Sequence, residues 1–315
     1  MALLSAVFAL DGIMRILHPA LLALPLSLLA APGQGQAPPK GAAPAPLEIV
    51  AAAPASAWKA IDADDLLVMT LAGGERIIIQ LTPIFSQAHV GNMRVLAKAH
   101  WWDATSVYRV QDNYVVQWGD RSETKPLPPG VTAPLPEDYF ATRKALTPAI
   151  TPLPSRDSYA AETGFLDGWP VAMDRDHVWL PHCYGMVGAG RNLSPDAGNG
   201  AELYAVIGHA PRQLDRNIAL VGRVIEGIDN LSSLPRGTGE IGFYEKDQAP
   251  TPIVSIRLAS ALPQAERPRF EMMDTTSRAF ADYAAARTNR RDPFFNLPAG
   301  GADLCNIPVP VRTIR

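Results

Sequence analysis

Two short segments of the chain carry side chains that could do chemistry together. The first is VYRV at residues 107–110, and the second is QWGD at residues 117–120. They put an arginine, an aromatic ring and a side-chain amide on two consecutive runs with the composition of β-strands. The set contains no nucleophile beside a base, no group of metal ligands and no acid–base pair. It therefore suits a reaction that is accelerated by orienting a substrate and stabilising developing charge.

Rotation about the peptide bond that precedes proline is such a reaction. Amide resonance gives peptide-bond rotation a barrier of roughly 18–20 kcal/mol, so uncatalysed exchange takes on the order of tens of seconds. In the twisted state the proline nitrogen becomes pyramidal and regains a lone pair. A fixed N–H donor aimed at that nitrogen binds the transition state more strongly than the ground state, as catalysis requires. Arginine suits this task because it stays charged and offers several donors in a rigid fork.

The composition favours a globular protein that does not bind nucleic acid. The 315 residues are 47% hydrophobic, which allows one large domain or two small ones. The formal net charge of −3 argues against a nucleic-acid-binding surface. His177, His182 and Cys183 are close in sequence, but no further Cys or His stands at the spacing of a metal site. We therefore predict no metal and no cofactor, and we expect a monomer.

The N-terminus has the features of a targeting segment. Ile16–Ala31 is almost wholly apolar, Arg15 supplies the preceding positive charge, and GQA at 35–37 has the small-x-small pattern of a cleavage site. We therefore predict that residues 1–37 are a signal peptide with its true start at Met14, and that the protein is periplasmic. The alternative is an uncleaved segment that anchors the protein in the inner membrane.

The two cysteines bear on the same question. Cys183 and Cys305 are far apart and form neither a CxxC redox motif nor a zinc set. In an oxidising compartment a disulfide between them is permitted. Two unpaired thiols are the equal alternative.

The pattern along the chain predicts many short strands and few helices. Residues 38–60 are rich in Ala and Pro, which is typical of a flexible linker. Runs of β-branched and aromatic residues predict strands, and apolar residues at three- and four-residue steps predict helices. The predicted strands are 66–69, 76–81, 105–110, 115–119, 184–189, 202–207, 220–224 and 253–258, and the predicted helices begin after Ser86, at Gly227, and after Asp274 or Thr275.

Proline interrupts this pattern between about residues 121 and 175. We predict a long Pro-rich surface insertion there, with a short helix near 139–146. Many short strands with few helices predict a mainly β protein, built as a closed barrel or a sandwich.

Seven short motifs between residues 76 and 227 keep a particular order and spacing. They are IIIQLTP at 77–83, NMRVL at 92–96, YRV at 108–110, QWGD at 117–120, GMV at 185–187, NGAELY at 199–204 and VGRVIEG at 221–227. By these motifs the chain resembles the cyclophilin-type peptidyl-prolyl cis–trans isomerases over about half of its length. The resemblance implies a closed eight-stranded antiparallel β-barrel capped by two helices, with a groove on its outer face. We place this domain at 61–262 and a C-terminal extension at 263–315.

The resemblance also implies roles for ten residues. Arg109 would donate to the imide nitrogen of proline and Gln117 would hold the substrate backbone, so we predict that these two are catalytic. The predicted substrate-binding residues are Tyr108, Tyr114, Val115, Gly190, Arg191, Glu202, Tyr204 and Leu214. Those at 114, 115, 204 and 214 would form an apolar pocket for the proline ring, and those at 190 and 191 would pair with an extended substrate.

Tyr114 and Tyr204 stand where the resemblance implies phenylalanines, and Ile218 falls near an implied histidine. Three further positions depart from the pattern. Tyr108 replaces a histidine, Glu202 replaces a glutamine, and a rim tryptophan falls near Gln213. Glu202 would either pair with Arg109 and draw it away from the proline nitrogen, or orient it. We expect Glu202→Gln to leave turnover unchanged or to raise it.

The leading hypothesis is a peptidyl-prolyl cis–trans isomerase that assists the folding of exported proteins by acting on proline-containing polypeptides. A catalytically weak Pro-peptide-binding or chaperone module on the same barrel is the alternative that the three departures motivate. A structural envelope protein that binds a partner through its Pro-rich insertion is a third hypothesis.

Overall fold

The computed structural model of the chain describes residues 43–132, 139–146 and 149–314. The predicted signal peptide at 1–37, with its start at Met14, lies outside these residues. In chain order the strands are β1 (Trp58–Ala60), β2 (Leu66–Leu71), β3 (Arg76–Leu81), β4 (Ser106–Val110), β5 (Val115–Gly119), β6 (Ala141–Thr142), β7 (Thr151–Leu153), β8 (Glu162–Leu166), β9 (Trp169–Met173), β10 (His177–Trp179), β11 (Met186–Ala189), β12 (Leu203–Val206), β13 (Leu220–Glu226), β14 (Thr251–Leu258), β15 (Phe270–Met273) and β16 (Val311–Thr313). The α-helices are α1 (Pro46–Ala52), α2 (Gln87–Lys98), α3 (Ile228–Ser232) and α4 (Arg278–Thr288).

Eight strands close into an antiparallel barrel. Their order is β11-β12-β5-β4-β14-β2-β3-β13, and β13 pairs with β11 to complete the ring. Successive side chains of β3 point to opposite faces of the barrel wall. Ile77, Ile79 and Leu81 pack in the barrel core, whereas Ile78 packs in a separate cluster. The predicted mainly β fold with a closed eight-stranded barrel is confirmed.

Two helices pack against the barrel core. From α2, Val90, Met93, Leu96 and Ala97 are buried in that core at the three- and four-residue steps of an amphipathic helix. From α3, Leu231 is buried in the same core. The apolar stripe of the sequence therefore identified the face of α2 that contacts the barrel.

The start of α2 agrees with the prediction, whereas the start of α4 differs from it. Ser86 occupies the N-cap position of α2, and its hydroxyl donates to a backbone carbonyl of β13 at 2.6 Å. α4 begins after Ser277, whose side chain accepts from the backbone N–H of Phe280, rather than after Asp274 or Thr275. Capping rules found both helices but placed the second start two or three residues early.

The Pro-rich insertion contains a sheet of its own. Strands β6 to β10 form a five-stranded antiparallel sheet in the order β6-β10-β9-β8-β7. The prediction of a short helix near 139–146 is wrong, since these residues form β6 and a 3₁₀ turn at Arg143–Ala145. Pro152 is compatible with strand structure because β7 lies at the edge of the sheet, where a missing N–H is tolerated.

The described part of the predicted linker is also folded. Residues 46–52 form α1, and β1 joins β15 and β16 in a three-stranded sheet of order β1-β15-β16. Pro46 stands at the start of α1, where its missing N–H costs no helical hydrogen bond. The prediction of a flexible linker over 38–60 is therefore wrong for residues 46–60. Residues 38–42 lie outside the described part.

Three segments that are distant in sequence share one hydrophobic core. Trp58 comes from the N-terminal segment, Leu153 and Phe165 come from the insertion, and Phe280 and Tyr283 come from the C-terminal extension. Phe165 and Phe280 meet edge to face, with their ring centroids 4.8 Å apart. The segment whose composition predicted a linker is ordered because its Trp58 is buried in this core.

Cys183 and Cys305 form a disulfide, with their Cα atoms 5.0 Å apart. Of the two alternatives left open by the sequence, the paired form is therefore the one observed. The bond joins the chain just before barrel strand β11 to the C-terminal extension. Within the described ranges, no helix is both long and apolar enough to span a bilayer.

We expect a chain that begins at Asp62 to be less stable than one that begins at Ala43. Removing α1 and β1 takes Trp58 out of the shared core and leaves β15 without one of its neighbours. The loss should be at least about 3 kcal/mol of unfolding free energy, the scale of deleting one buried aromatic side chain. Urea unfolding at equilibrium measures it, and equal midpoints for the two chains would restore the linker interpretation.

Candidate active site

One open cavity of about 510 Å³ lies against the outer face of the barrel. Strand alternation explains its position, because Val116 and Trp118 of β5 point into the barrel core while Val115 and Gln117 point into the cavity. All ten residues that the sequence singled out line it: Tyr108, Arg109, Tyr114, Val115, Gln117, Gly190, Arg191, Glu202, Tyr204 and Leu214.

A bulge in β4 lets two consecutive residues face this cavity. The pairing of β4 with β5 shifts register between Val107 and Arg109. In a regular strand neighbouring side chains point to opposite faces, whereas a bulge re-aims one of them. Tyr108 and Arg109 both line the cavity as a result.

Three hydrogen bonds fix the guanidinium of Arg109. Its Nη1 donates to Oε1 of Gln117 at 3.0 Å, its Nη2 donates to Oε1 of Gln111 at 2.7 Å, and its Nε donates to the carbonyl of Ile241 at 2.9 Å. A guanidinium has five N–H donors, so these bonds set its plane without using its full capacity. Burial lowers the pKa of Arg109 from its ordinary value, but the group remains a cation at neutral pH.

Phe243 is a contact of Arg109 that the sequence analysis missed. Its ring centroid lies 5.3 Å from the guanidinium carbon and 5.9 Å from the ring centroid of Tyr108, to which it is nearly parallel. It lies in a loop where Gly242 has a positive φ of 83°. An aromatic next to glycines was the available signal, but no strand or helix pattern includes this loop.

A chain of hydrogen bonds runs from Arg109 to Glu202. The Nε2 of Gln117 donates to the hydroxyl of Tyr108 at 2.8 Å, and that hydroxyl donates to Oε2 of Glu202 at 2.5 Å. The other carboxylate oxygen, Oε1, accepts from the backbone N–H of Asp120 at 2.6 Å. Glu202 therefore acts on Arg109 through two intervening side chains. The first of the two expectations for Glu202, a direct pair with Arg109, is not what the structure has.

Gly119 makes room for this carboxylate. It has a positive φ of 146°, and a Cβ built on it would lie 2.1 Å from Oε2 of Glu202. Any larger residue would clash with the carboxylate in a backbone conformation that already disfavours side chains. The glycine in the QWGD motif thus belongs to the geometry of Glu202.

Burial determines which groups in this chain of hydrogen bonds carry a proton. It raises the pKa of Glu202 to about 7, although the hydrogen bonds from Tyr108 and from the Asp120 backbone act to lower it. Burial first, and then the charge of Glu202, raise the pKa of Tyr108 above its ordinary value. Tyr108 therefore stays protonated as a donor, whereas Glu202 changes its charge near neutral pH.

An apolar wall forms the other part of the cavity. Val115 and Tyr204 are buried in a small cluster, against which Tyr114 and Ile218 pack. Leu214 lies on a 3₁₀ turn at Arg212–Leu214 and lines the same cavity. Gln213, which stands in the same turn near the position of the expected tryptophan, is exposed. Among the described residues no group of three His, Cys, Asp or Glu side chains is arranged to hold a metal ion.

The family comparison agrees with this geometry. The family model described as "Cyclophilin type peptidyl-prolyl cis-trans isomerase/CLD" matches residues 66–260, more than half of the chain. The chain therefore belongs to the cyclophilin-type peptidyl-prolyl cis–trans isomerases, enzymes that interconvert the two forms of the bond before proline. The matched range contains all ten predicted site residues and the insertion.

A solved structure supports the same fold. The cyclophilin AquaCyp293 from Hirschia baltica matches with a TM-score of 0.66 and 24% identity, over 81% of this chain and 93% of that one. A cyclophilin-type isomerase of Cryptosporidium parvum, in the presence of the dipeptide Ala-Pro, matches with a TM-score of 0.38 and 12% identity, over 61% and 98%. No curated protein matches the chain significantly.

We expect the activity to depend on pH through Glu202. Above its pKa of about 7 the carboxylate accepts from Tyr108, which keeps Oε1 of Gln117 facing Arg109. Protonation removes one acceptor, so kcat/KM should fall as the pH drops through this value. The expected fall is roughly two- to tenfold, the effect of one hydrogen bond of about 0.5–1.5 kcal/mol.

The Glu202→Gln variant is the control for this dependence. A neutral amide resembles the protonated carboxyl, so its kcat/KM should be flat with pH and close to the low-pH value of the wild type. Above about pH 7 we therefore expect lower turnover in the variant than in the wild type, because both carboxylate oxygens accept hydrogen bonds. The expectation from the sequence alone was unchanged or higher turnover. A pH profile of the variant that still falls near neutral pH would assign the titration to another group.

Proposed function

We propose that Arg109 catalyses the isomerisation by donating to the imide nitrogen of a bound proline. The observation that carries this proposal is the fixed guanidinium at the edge of an apolar wall, inside one cavity. Because its contacts to Gln117, Gln111 and the Ile241 carbonyl exist before a substrate arrives, little reorganisation is needed at the transition state. The proline ring would lie against Tyr114, Val115, Tyr204 and Leu214.

The substrate backbone would be held on both sides of this ring. We propose that Gln117 contacts it from the Arg109 side, as the second catalytic residue. On the opposite side, the N–H of Gly190 already donates to the carbonyl of Glu202 at 2.7 Å. An extended substrate would therefore pair with the remaining backbone groups of Gly190 and Arg191, in the manner of an added strand.

We expect Arg109→Ala to lower kcat by about 10²–10³-fold, the usual effect of removing one preorganised donor. Exchange of a short Ala-Pro peptide between cis and trans, followed by NMR, measures this change. Arg236→Ala is the matched control, because Arg236 is an exposed arginine whose partner is Asp112. Arg109→Ala with wild-type kcat would contradict the role of Arg109.

A peptide-binding or chaperone module with weak catalysis is the second candidate. The departures at Tyr108, Glu202 and Gln213 favour it, because each replaces a group that the resemblance implies. The same assay separates the two candidates. If proline peptides bind to the wild type but exchange no faster than the uncatalysed rate, the result would favour the binding module and contradict the catalytic proposal.

We further propose that the protein is exported to the periplasm and acts there on proline-containing segments of other exported chains. The disulfide between Cys183 and Cys305 supports this, since such bonds persist mainly in oxidising compartments. The apolar segment at 16–31 of the sequence supports it as well.

We expect N-terminal sequencing of the protein from the periplasmic fraction to begin at Pro38, directly after the GQA motif. A matched chain in which the small residues Gly35 and Ala37 are both replaced by Arg should remain uncleaved. Recovery of the wild type from the membrane fraction with residues before 35 intact would instead support the inner-membrane anchor.

A further inference from the structure

The two sides of the apolar pocket are held by one buried carboxylate. Tyr204 and Leu214 come from different parts of the chain, β12 and the 3₁₀ turn at Arg212–Leu214. Asp215 follows directly after that turn and is 8% exposed. Its oxygens accept hydrogen bonds from groups that connect to each side.

Tyr204 is connected to this carboxylate through His182. The hydroxyl of Tyr204 lies 2.8 Å from Nε2 of His182, and Nδ1 of His182 lies 3.0 Å from Oδ1 of Asp215. The backbone N–H of His182 donates to the same oxygen at 2.9 Å. The ring of Tyr204 crosses the neighbouring strand at Gly188, where a Cβ would lie 2.3 Å from the phenol. The polar end of Tyr204 is therefore held away from the cavity, which leaves the ring itself as the pocket surface.

Leu214 is connected to the same carboxylate through Arg212. The Nε of Arg212 donates to Oδ2 of Asp215 at 2.6 Å across the turn that carries Leu214. Burial acts to raise the pKa of Asp215, but the hydrogen bonds from His182 and the charge of Arg212 outweigh it and lower the pKa. Asp215 therefore stays ionised, as a buried acceptor for both sides of the pocket.

The insertion holds the other end of this network. The two Nη atoms of Arg212 donate to the two carboxylate oxygens of Asp157 at 3.0 and 3.2 Å, and both side chains are almost fully buried. The Nε1 of Trp179, in β10, donates to Asp215 at 3.4 Å. Two residues of the inserted segment and its sheet thus contact the groups that fix Tyr204 and Leu214.

We propose that the insertion determines how large an imino-acid ring the pocket accepts, with Asp157, Arg212, Asp215 and His182 as positioning residues. This proposal rests on the cavity being the proline-binding site. A charged, hydrogen-bonded and buried network resists deformation, because separating any pair leaves a buried charge unpaired. Tyr204 and Leu214 are therefore both held in place, and we infer that the pocket adapts poorly to a ring larger than proline.

Size selectivity is the readout that tests the proposal. The probes are the peptide Ala-Ala-Pro-Phe and the same peptide with pipecolic acid, whose ring has one more methylene, in place of proline. A rigid pocket discriminates against one methylene by about tenfold or more. We expect Asp157→Asn, which keeps the side-chain shape but removes the charge, to reduce the ratio of the two binding constants by about threefold.

Glu162→Gln is the matched control. Glu162 of β8 accepts two hydrogen bonds from Arg143 at 2.9 and 3.0 Å within the same insertion, but Glu162 is exposed and neither residue lines the cavity. Its ratio should equal that of the wild type. Tyr204→Phe tests the other end of the network, since it keeps the ring and removes the link to His182. We expect the same direction of change as for Asp157→Asn.

The ratio separates this proposal from a general loss of stability. Partial unfolding lowers the amount of active protein equally for both peptides and leaves the ratio unchanged. An unchanged ratio in Asp157→Asn overturns the proposal, as does a wild type that binds both peptides equally. Because the ratio is measured by binding and not by turnover, it stays valid if Arg109→Ala shows that the catalytic proposal is wrong.

Discussion

The half-buried carboxylate of Glu202 constrains the Arg109 side of the groove. Removing a carboxylate from water is costly unless it is hydrogen-bonded, and its two oxygens accept from Tyr108 and from the backbone of Asp120. Since Tyr108 donates its only proton to Glu202, it can only accept from Gln117, whose remaining oxygen then faces Arg109. One ionised group therefore sets the direction of every hydrogen bond up to the guanidinium.

The same constraint explains why two departures from the family pattern occur together. A tyrosine before the arginine needs an acceptor once it is buried, and a glutamate in the groove needs a donor. Tyr108 and Glu202 satisfy each other over 2.5 Å, and Gly119 leaves the space for their contact. Considered singly, each replacement weakens the expectation of catalysis. Considered as a pair, they form an alternative support for Gln117 and Arg109.

Strand alternation was enough to predict the individual strands, because that pattern is local. The barrel and the ten residues around the cavity were predicted only through the family resemblance of the ordered motifs, because many neighbouring strands, such as β3 and β13, are far apart in sequence. Phe243 lies in a loop without such a pattern. Asp157 and Arg212 are 55 positions apart, and only packing brings them together. His182 was weighed as a metal ligand, yet its two ring nitrogens contact Tyr204 and Asp215.

Composition alone misjudged the segments outside the barrel for a related reason. Ala and Pro are typical of linkers, but this segment also contains Trp58. The side chain of Trp58 is buried in one core with Phe165 and Phe280, which orders the segment. The N-terminal segment, the insertion and the C-terminal extension each contribute buried side chains to this one core.

The groove consequently has two supports with different electrostatic character. The hydrogen-bonded chain that ends at Glu202 includes a group with a pKa of about 7, so we expect the alignment of Arg109 to respond to pH in the neutral range. In the network around Asp215 the pKa of the carboxylate is lowered, so this acceptor stays ionised over the same range. On the roles proposed for Arg109 and for the apolar pocket, we expect a change of pH that protonates Glu202 to act on the chemical step rather than on the carboxylate that supports the pocket.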